Sequence, residues 1–309
     1  MKILVTGGAG FIGSFIADAY INLGHDVTII DNLSTGLEKN INSNAKFYKV
    51  DITNAEEIYP IFEKEKFDVI SHHAAQANVR FSVNDPCGDA KINILGGINL
   101  FEASMKNGVK KIIFASTGGA IYGEKPESEL PTWETLEANP CSPYGISKLT
   151  NEKLLQYYKK TYGIDFVVLR YANVFGPRQN PEGEAGVVTI FVKRMLSGLQ
   201  PIINGDGTHT RDYVYISDVV EANILALKNE MSGVFNVGTS IETTTNQVFH
   251  TIREAVNSQL QEVHAPEMKG EQIRSCISYQ KINKYFNWTP QVSFEEGIKK
   301  TISYFQSEL

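Results

Sequence analysis

The chain has 309 residues, 42% of them hydrophobic and 21% charged, with a formal net charge of −6. That composition is ordinary for a globular protein and carries no basic surplus that would bind a nucleic-acid backbone or an anionic membrane surface. Cys87, Cys141 and Cys276 are scattered and odd in number, which excludes a disulfide framework and a spaced zinc site, so no metal is expected.

The opening Met1-Lys-Ile-Leu-Val5 runs straight into a glycine loop, so no signal peptide is expected in front of the fold. No apolar run approaches the ~20 residues of a membrane helix. The expected location is a reducing cytoplasm. Through the first half, short apolar runs alternate with helical patterns. Strands are expected at Lys2–Val5, Asp26–Ile30, Phe47–Val50, Phe67–Ser71 and Lys111–Ala115. Helices are expected at Phe11–Leu23, Ala55–Lys64 and Asp89–Lys106, then from Tyr144 to about Tyr162, followed by a buried-type strand at Asp165–Leu169. Strands that alternate with helices imply crossover units and a parallel sheet.

After about Gly176 the alternation loosens and loop residues multiply: Pro177, Pro181, Gly183, Gly186, Gly205 and Gly207. The fold class is therefore α/β. A Rossmann-type doubly wound parallel sheet is expected over residues 1–176, and a smaller mixed α/β substrate portion over 177–309. Ser217–Asn229 and Val234–Val237 are segments that could return to the first domain.

Thr6-Gly-Gly-Ala-Gly-Phe-Ile-Gly13 joins the first strand to the first helix. Gly7 permits the tight turn, Gly10 lets backbone approach a pyrophosphate, and Gly13 lets helix pack on strand. The helix N-terminus faces the phosphates with free amides and a positive dipole end. About 20 residues later Asp31 ends the second strand, where a carboxylate accepts hydrogen bonds from an adenosine ribose. It would repel a 2′-phosphate, so NAD is expected rather than NADP. Asp51 and Ile52, after the third strand, are placed to meet adenine or to cap the strand end. Ala74, Ala75 and Gln76, after the fourth, would line the cofactor at the carboxyl edge of the sheet.

Tyr144 and Lys148 stand four apart in Ser142-Pro-Tyr-Gly-Ile-Ser-Lys148, so a helix brings them onto one face. A free phenol, with a pKa of about 10, is a poor base at neutral pH; a neighbouring ammonium favours the phenolate.

The glycine spacing and Tyr144-x-x-x-Lys148 resemble the extended short-chain dehydrogenase/reductases. Four further blocks are similar to the UDP-glucose 4-epimerase family: His73-Ala-Ala-Gln-Ala-Asn-Val-Arg80, Asn93-Ile-Leu-Gly96, Tyr171-Ala-Asn-Val-Phe-Gly-Pro-Arg178 and Arg211-Asp-Tyr-Val214. The resemblance implies that Tyr144 is general base and acid at the sugar 4-hydroxyl and that Lys148 tunes it and binds the nicotinamide ribose. It implies a catalytic hydroxyl on the loop after the fifth strand. The family's usual position is Gly118 here and the loop is one residue longer, so Thr117 is the expected donor and Ser116 the alternative. That loop lacks the Asp-Glu pair of dehydratases, whose elimination needs an extra acid.

The resemblance extends the cofactor set to Phe11, Ile12, Asn32, Ser34, Asn93 and Tyr171, the last of which could equally be core. For the substrate it implies a diphosphate held by Arg211 and Arg274, since a guanidinium fork takes phosphate oxygens in pairs. Asn173 would meet the phosphate region. Val188, and Ile203-Asn204 within Pro201–Gly205, would lie beside the nucleotide. Ser275 stands where a bulky tyrosine restricts the pocket to unmodified hexoses, so UDP-hexoses and UDP-N-acetylhexosamines are both expected to fit. The implied reaction is C4 epimerisation through a transient 4-keto sugar, anchored by its nucleotide. Rivals are other UDP-sugar enzymes of the same fold (a UDP-glucuronate epimerase or decarboxylase, with Arg80 as the extra cation, a dehydratase, or a net dehydrogenase or reductase) and, remotely, a non-catalytic NAD sensor. The resemblance also implies a homodimer through helices near Asp89–Lys106 and Ser147–Tyr162.

Overall fold

The computed structural model describes residues 1–180, 186–267 and 272–308. The chain begins with β1 (Lys2–Thr6), α1 (Phe11–Asn22), β2 (Asp26–Asp31), β3 (Lys46–Lys49), α2 (Ala55–Glu65) and β4 (Val69–His72). After α3 (Val79–Asn84), α4 (Pro86–Ala90) and α5 (Gly96–Asn107) come β5 (Lys111–Thr117), α6 (Pro143–Tyr162) and β6 (Asp165–Tyr171). The C-terminal part contains β7 (Asn173–Phe175), α7 (Val187–Leu196), β8 (Ile203–Asn204), β9 (Thr210–Arg211), β10 (Tyr213–Tyr215) and α8 (Ile216–Lys228). It ends with β11 (Gly233–Val237), β12 (Thr243–Thr244), α9 (Thr245–Ala255), β13 (His264–Ala265), β14 (Arg274–Ser275), α10 (Gln280–Phe286) and α11 (Phe294–Ser307). Pro181 and Gly183 lie outside the described residues.

Seven strands form one sheet in the order β11-β6-β5-β4-β1-β2-β3, and every pairing is parallel. Both faces are covered, which is why the strands read as continuous apolar runs. On one face Ile3, Val5, Ile29, Ile113 and Leu169 join a core shared with α1 and α8. On the other, Leu4, Ile30, Ile70, Ile112 and Val168 pack with residues of α2, α5 and α6. The chain leaves β1 toward β2 and β3, and later builds β4, β5 and β6 on the other side. The carboxyl ends of β1 and β4 therefore flank the crevice where such sheets bind ligands.

The expected single helix over Asp89–Lys106 is interrupted. A π turn, Lys91–Leu95, lies between α4 and α5. Close packing accounts for the glycines that follow: a Cβ on Gly96 would stand 2.7 Å from Ile52 side-chain atoms, and one on Gly97 would collide with Asn151 Oδ1. Strands β5 and β6 each run two residues past expectation, to Thr117 and Tyr171, because they pair in register along their whole length. The late segments rejoin the first layer: β11 pairs with β6 and α8 packs on α1. The other C-terminal strands form small ladders, β10-β7, β12-β9-β14 and β13-β8.

Candidate active site

The loop from β1 to α1 is built by close approach. Gly7 has φ +70°, and a Cβ there would stand 2.6 Å from the Ala74 amide nitrogen; one on Gly13 would collide with the Gly7 carbonyl. α1 starts at Gly10 with no side-chain cap, so its first amides remain for an anion. Asp31, 8% exposed, accepts the amides of Ala9 (3.0 Å) and Leu33 (2.8 Å), one on each oxygen. Each oxygen keeps a lone pair for a ribose hydroxyl. Asn32 Nδ2 donates to Asp51 Oδ2 (2.9 Å) and its Oδ1 accepts Ser34 N (3.0 Å), which ties the second and third strand ends together. An uncapped helix start, an open glycine cradle and a carboxylate with spare acceptors fit a dinucleotide.

These groups open onto one cavity of about 660 Å³. It is lined by Gly7, Gly10, Phe11, Ile12, Gly13, Asp31, Asn32, Ser34, Asp51, Ile52, Ala74, Ala75 and Gln76, and also by Ser116, Thr117, Tyr144, Lys148 and Tyr171. Asn93 is the exception in the expected cofactor set. It stands behind the wall, 3% exposed, and exchanges two hydrogen bonds with the Gln76 backbone (2.8 and 2.9 Å) while donating to Asp89. The π turn aims it inward, so it shapes the loop and does not face the ligand. Tyr171 lines the cavity, but its hydroxyl is engaged with Asn223, and burial pushes its pKa upward.

α6 starts cleanly, with the Ser142 side chain accepting Gly145 N and Pro143 in the first turn. Its buried face carries Lys148, whose Nζ donates to Ala115 O (2.9 Å) at the end of β5. The ammonium lies 4.9 Å from the Phe114 ring centroid and 5.8 Å from that of Tyr144. A cation at that range stabilises a phenolate. The two candidate hydroxyls are in different situations. Ser116, 4% exposed, donates to Glu152 Oε1 (2.6 Å), and Glu152 in turn holds Arg170 at 2.6 and 3.0 Å in a buried fork. Thr117 Oγ1 accepts Ala120 N (3.2 Å), which leaves its proton to give.

The substrate candidates divide. Asn173, Ser275 and Thr117 converge on Gly119: a Cβ there would lie 3.1 Å from Asn173 Oδ1, 3.9 Å from Ser275 Oγ and 4.0 Å from Thr117 Oγ1. In the β12-β9-β14 ladder Ser275 is aligned with Arg211, and Arg274 with Thr210. Alternation then puts Arg211 on the Ser275 face and Arg274 on the opposite one. Arg274 is not a partner for Arg211: its guanidinium is forked onto Glu242 (3.0 and 2.6 Å), which Thr210 also contacts. Arg211 rests on the carbonyls of Thr210 (2.7 Å) and Ile273 (3.4 Å). Val188 and Ile203, 1% and 0% exposed, are core residues, so their side chains do not face a ligand. Asn204 and Arg80 are exposed and lie outside the cavity lining.

Arg178 and His73 are among the lining residues that sequence reasoning passed over. Arg178, 4.4 Å from the Phe15 ring and bonded to Asp18 (2.8 Å), edges the cavity. His73 is also in the wall; its place just past a strand end at the switch point was the available signal.

A doubly wound sheet, a glycine cradle answered by Asp31, and a Tyr–Lys pair in the same cavity define a dinucleotide-binding protein of Rossmann type. The chain belongs to the NAD dependent epimerase/dehydratase family, whose model matches residues 3–238. Among solved structures it is similar to the UDP-glucose 4-epimerase of Thermotoga maritima, determined with UDP-glucose: 49% identity, 100% of this chain and 99% of that one, TM-score 0.98. The UDP-glucose 4-epimerase of Thermus thermophilus, in complex with NAD, is 44% identical over 100% of both chains, TM-score 0.96. The UDP-N-acetylglucosamine 4-epimerase of Methanobrevibacter ruminantium M1, in complex with UDP-N-acetylmuramic acid, is 37% identical over 100% of this chain and 99% of that one, TM-score 0.93.

Proposed function

We propose that the protein interconverts C4 epimers of a UDP-sugar with NAD as its cofactor. The observation that carries this reading is a single cavity holding the glycine cradle, Asp31, Thr117, Tyr144 and Lys148. The glycine loop and the α1 amides would hold the pyrophosphate, and Asp31 the adenosine ribose. When bound, NAD supplies a reversible hydride acceptor for sugar C4. The chain's own groups do the rest. Tyr144, as the phenolate that Lys148 stabilises, takes the proton from the 4-hydroxyl and, as the phenol so formed, returns it. Thr117 orients the 4-oxygen, because the proton of Ser116 is committed to Glu152. Arg211, with Asn173, anchors the diphosphate while the sugar presents its other face.

A small Ser275 beside Gly119 leaves room for a 2-acetamido group, so both UDP-hexoses and UDP-N-acetylhexosamines are substrates in this reading. The 37% identical relative named for UDP-N-acetylglucosamine supports it. The protein acts as a cytoplasmic homodimer: exposed apolar residues on the π turn and α6, Leu95 and Ile146 among them, supply an uncovered face. Among the described residues no helix is long and apolar enough to cross a membrane.

The test is incubation of purified protein with UDP-glucose, UDP-galactose and the two UDP-N-acetylhexosamines without added cofactor, resolved by NMR. C4 epimers formed without net reduction of NAD are expected. A decarboxylated or dehydrated product would replace this reading with another activity of the same family.

A further inference from the structure

α6 carries Tyr144, Lys148 and Glu152 at four-residue intervals, so the three side chains leave one side of the helix. Glu152 is 1% exposed, and its carboxylate serves two strands. Arg170 of β6 forks onto both of its oxygens (3.0 and 2.6 Å), and Ser116 of β5 donates to Oε1 (2.6 Å). The remaining guanidinium nitrogen of Arg170, Nη1, donates to the Tyr122 hydroxyl (2.7 Å), and the guanidinium lies 4.9 Å from the centre of the Tyr122 ring. Tyr122 donates in turn to Asn236 Oδ1 (2.8 Å) on β11. Burial pushes the Tyr122 pKa up to about 12, so the phenol keeps the proton that this bond needs.

Ser116 and Tyr122 flank Thr117 and the turn that follows it. Between them, Gly118 N donates to Tyr171 O (2.7 Å) and Ala120 N to Thr117 Oγ1 (3.2 Å). Gly118 and Gly119 add little stiffness of their own. The turn is therefore stapled at both ends to one buried ion pair, and the acidic half of that pair stands on the helix of Tyr144. A buried ion pair adds little net stability over an apolar pair of the same size. A planar guanidinium fork does fix direction, so what this pair supplies is geometry.

We propose that Glu152 and Arg170, acting through Ser116 and Tyr122, are positioning residues that hold the Thr117 hydroxyl in register with the Tyr144 phenol. This rests on the function proposed above, in which Thr117 orients the sugar 4-oxygen. None of the four needs to touch the sugar: strand, turn and helix are tied to one another behind the reacting groups.

The test is a double-mutant cycle read in kcat. Tyr122→Phe keeps the ring and removes the hydroxyl that joins Arg170 to Asn236. Thr117→Val removes the hydroxyl to be positioned and keeps the shape of its side chain. Tyr122→Phe alone is expected to lower kcat by about 10–100-fold, the scale of a misplaced catalytic group, with KM for the UDP-sugar within about twofold. In the Thr117→Val background the same substitution should cost no more than about twofold, because the group it positions is gone. A merely structural role would lower Tm in both backgrounds and leave the two losses in kcat to multiply. Equal losses in both backgrounds, or an unchanged kcat in Tyr122→Phe, overturn the inference alone. Should Tyr122→Phe fold poorly, Ser116→Ala releases the other end of the turn and enters the same cycle with the same expectation. Amide exchange at Ala120, followed by NMR, reads the turn without turnover: it should quicken in Tyr122→Phe, and an unchanged rate counts against the staple. A wild type that epimerises no UDP-sugar overturns the function reading and the inference with it.

Discussion

Tyr144 is useless as a base without its surroundings, and each part of those surroundings comes from a different local rule. Pro143 and Ser142 fix where α6 starts, helical spacing sets Lys148 one turn on, and the Ala115 carbonyl fixes the ammonium 5.8 Å from the phenol ring. Removing the hydroxyl should leave that scaffold intact. Tyr144→Phe is expected to lower kcat by about 10²–10⁴-fold, the usual weight of a positioned acid–base group. NAD content per subunit should stay at the wild-type level. Turnover within a few-fold of wild type would remove Tyr144 from the proton path. The two buried histidines carry a separate cost. Both are held neutral by burial, His73 down to about 3 and His72 well below its ordinary value. An unfolded histidine titrates near 6.5. Below that pH the unfolded chain binds protons that the folded chain refuses, so stability is lost as pH falls from about 6.5 toward 3. Asp212, pushed up to about 6 by burial, works the opposite way between about 4 and 6 and offsets one of the two. In urea unfolding at stepped pH, His73→Leu should flatten the acid slope by about 1.4 kcal/mol per pH unit. A slope unchanged from wild type would mean that His73 already titrates in the fold.

At the scale of elements, register explains what the sequence made legible and what it hid. Nearly all of the expected cofactor residues line the cavity because they sit on strand ends and helix starts, whose positions follow from apolar runs and glycines. Asn93 departs from expectation because a π turn rotates it into the Gln76 loop, and five residues of changed winding leave no mark in a periodic pattern. Ile203 departs from it because it sits in a two-residue strand with little periodicity to read, and Val188 because it lies on the buried face of α7. Arg274 is the clearest case. Its type suits a phosphate, yet it sits one residue from Ser275 on a strand, so it must face away from whatever Ser275 faces. Glu242 neutralises it there. Substitutions should separate the two arginines. Arg211→Ala is expected to raise the KM for a UDP-sugar by about 10–100-fold, the scale for losing a charge-assisted contact. Glu242→Gln, which releases Arg274, should leave KM within about twofold and lower Tm. Steady-state kinetics that showed the reverse ranking would return the diphosphate to Arg274.

For the whole molecule, the notable property is where apolar surface remains after both faces of the sheet are covered. Ile146 and Tyr157 are 52% and 49% exposed, and they lie eleven residues apart on α6. Eleven residues make three helical turns, so the two side chains share one stripe. α3 and α4 pack against α6, and on the neighbouring π turn and α3, Leu95 and Val83 are 55% and 61% exposed. Single exposed apolar residues are unremarkable on a protein surface, but a set of them on mutually packed helices marks an interaction face. A second copy of the same chain is the simplest occupant, since a two-fold axis lets one stripe meet itself. None of these residues lines the cofactor cavity, so assembly and catalysis can be separated by substitution. Light scattering should give a mass of about twice 34.4 kDa for the wild type. Ile146→Asp combined with Tyr157→Asp should bring the mass to that of one chain, because two carboxylates per subunit would then face each other across a closed interface. Their placement on exposed positions predicts a folded monomer that still retains NAD. A wild type that scatters as a single chain at micromolar concentration would show instead that this face is left to solvent or to a different partner.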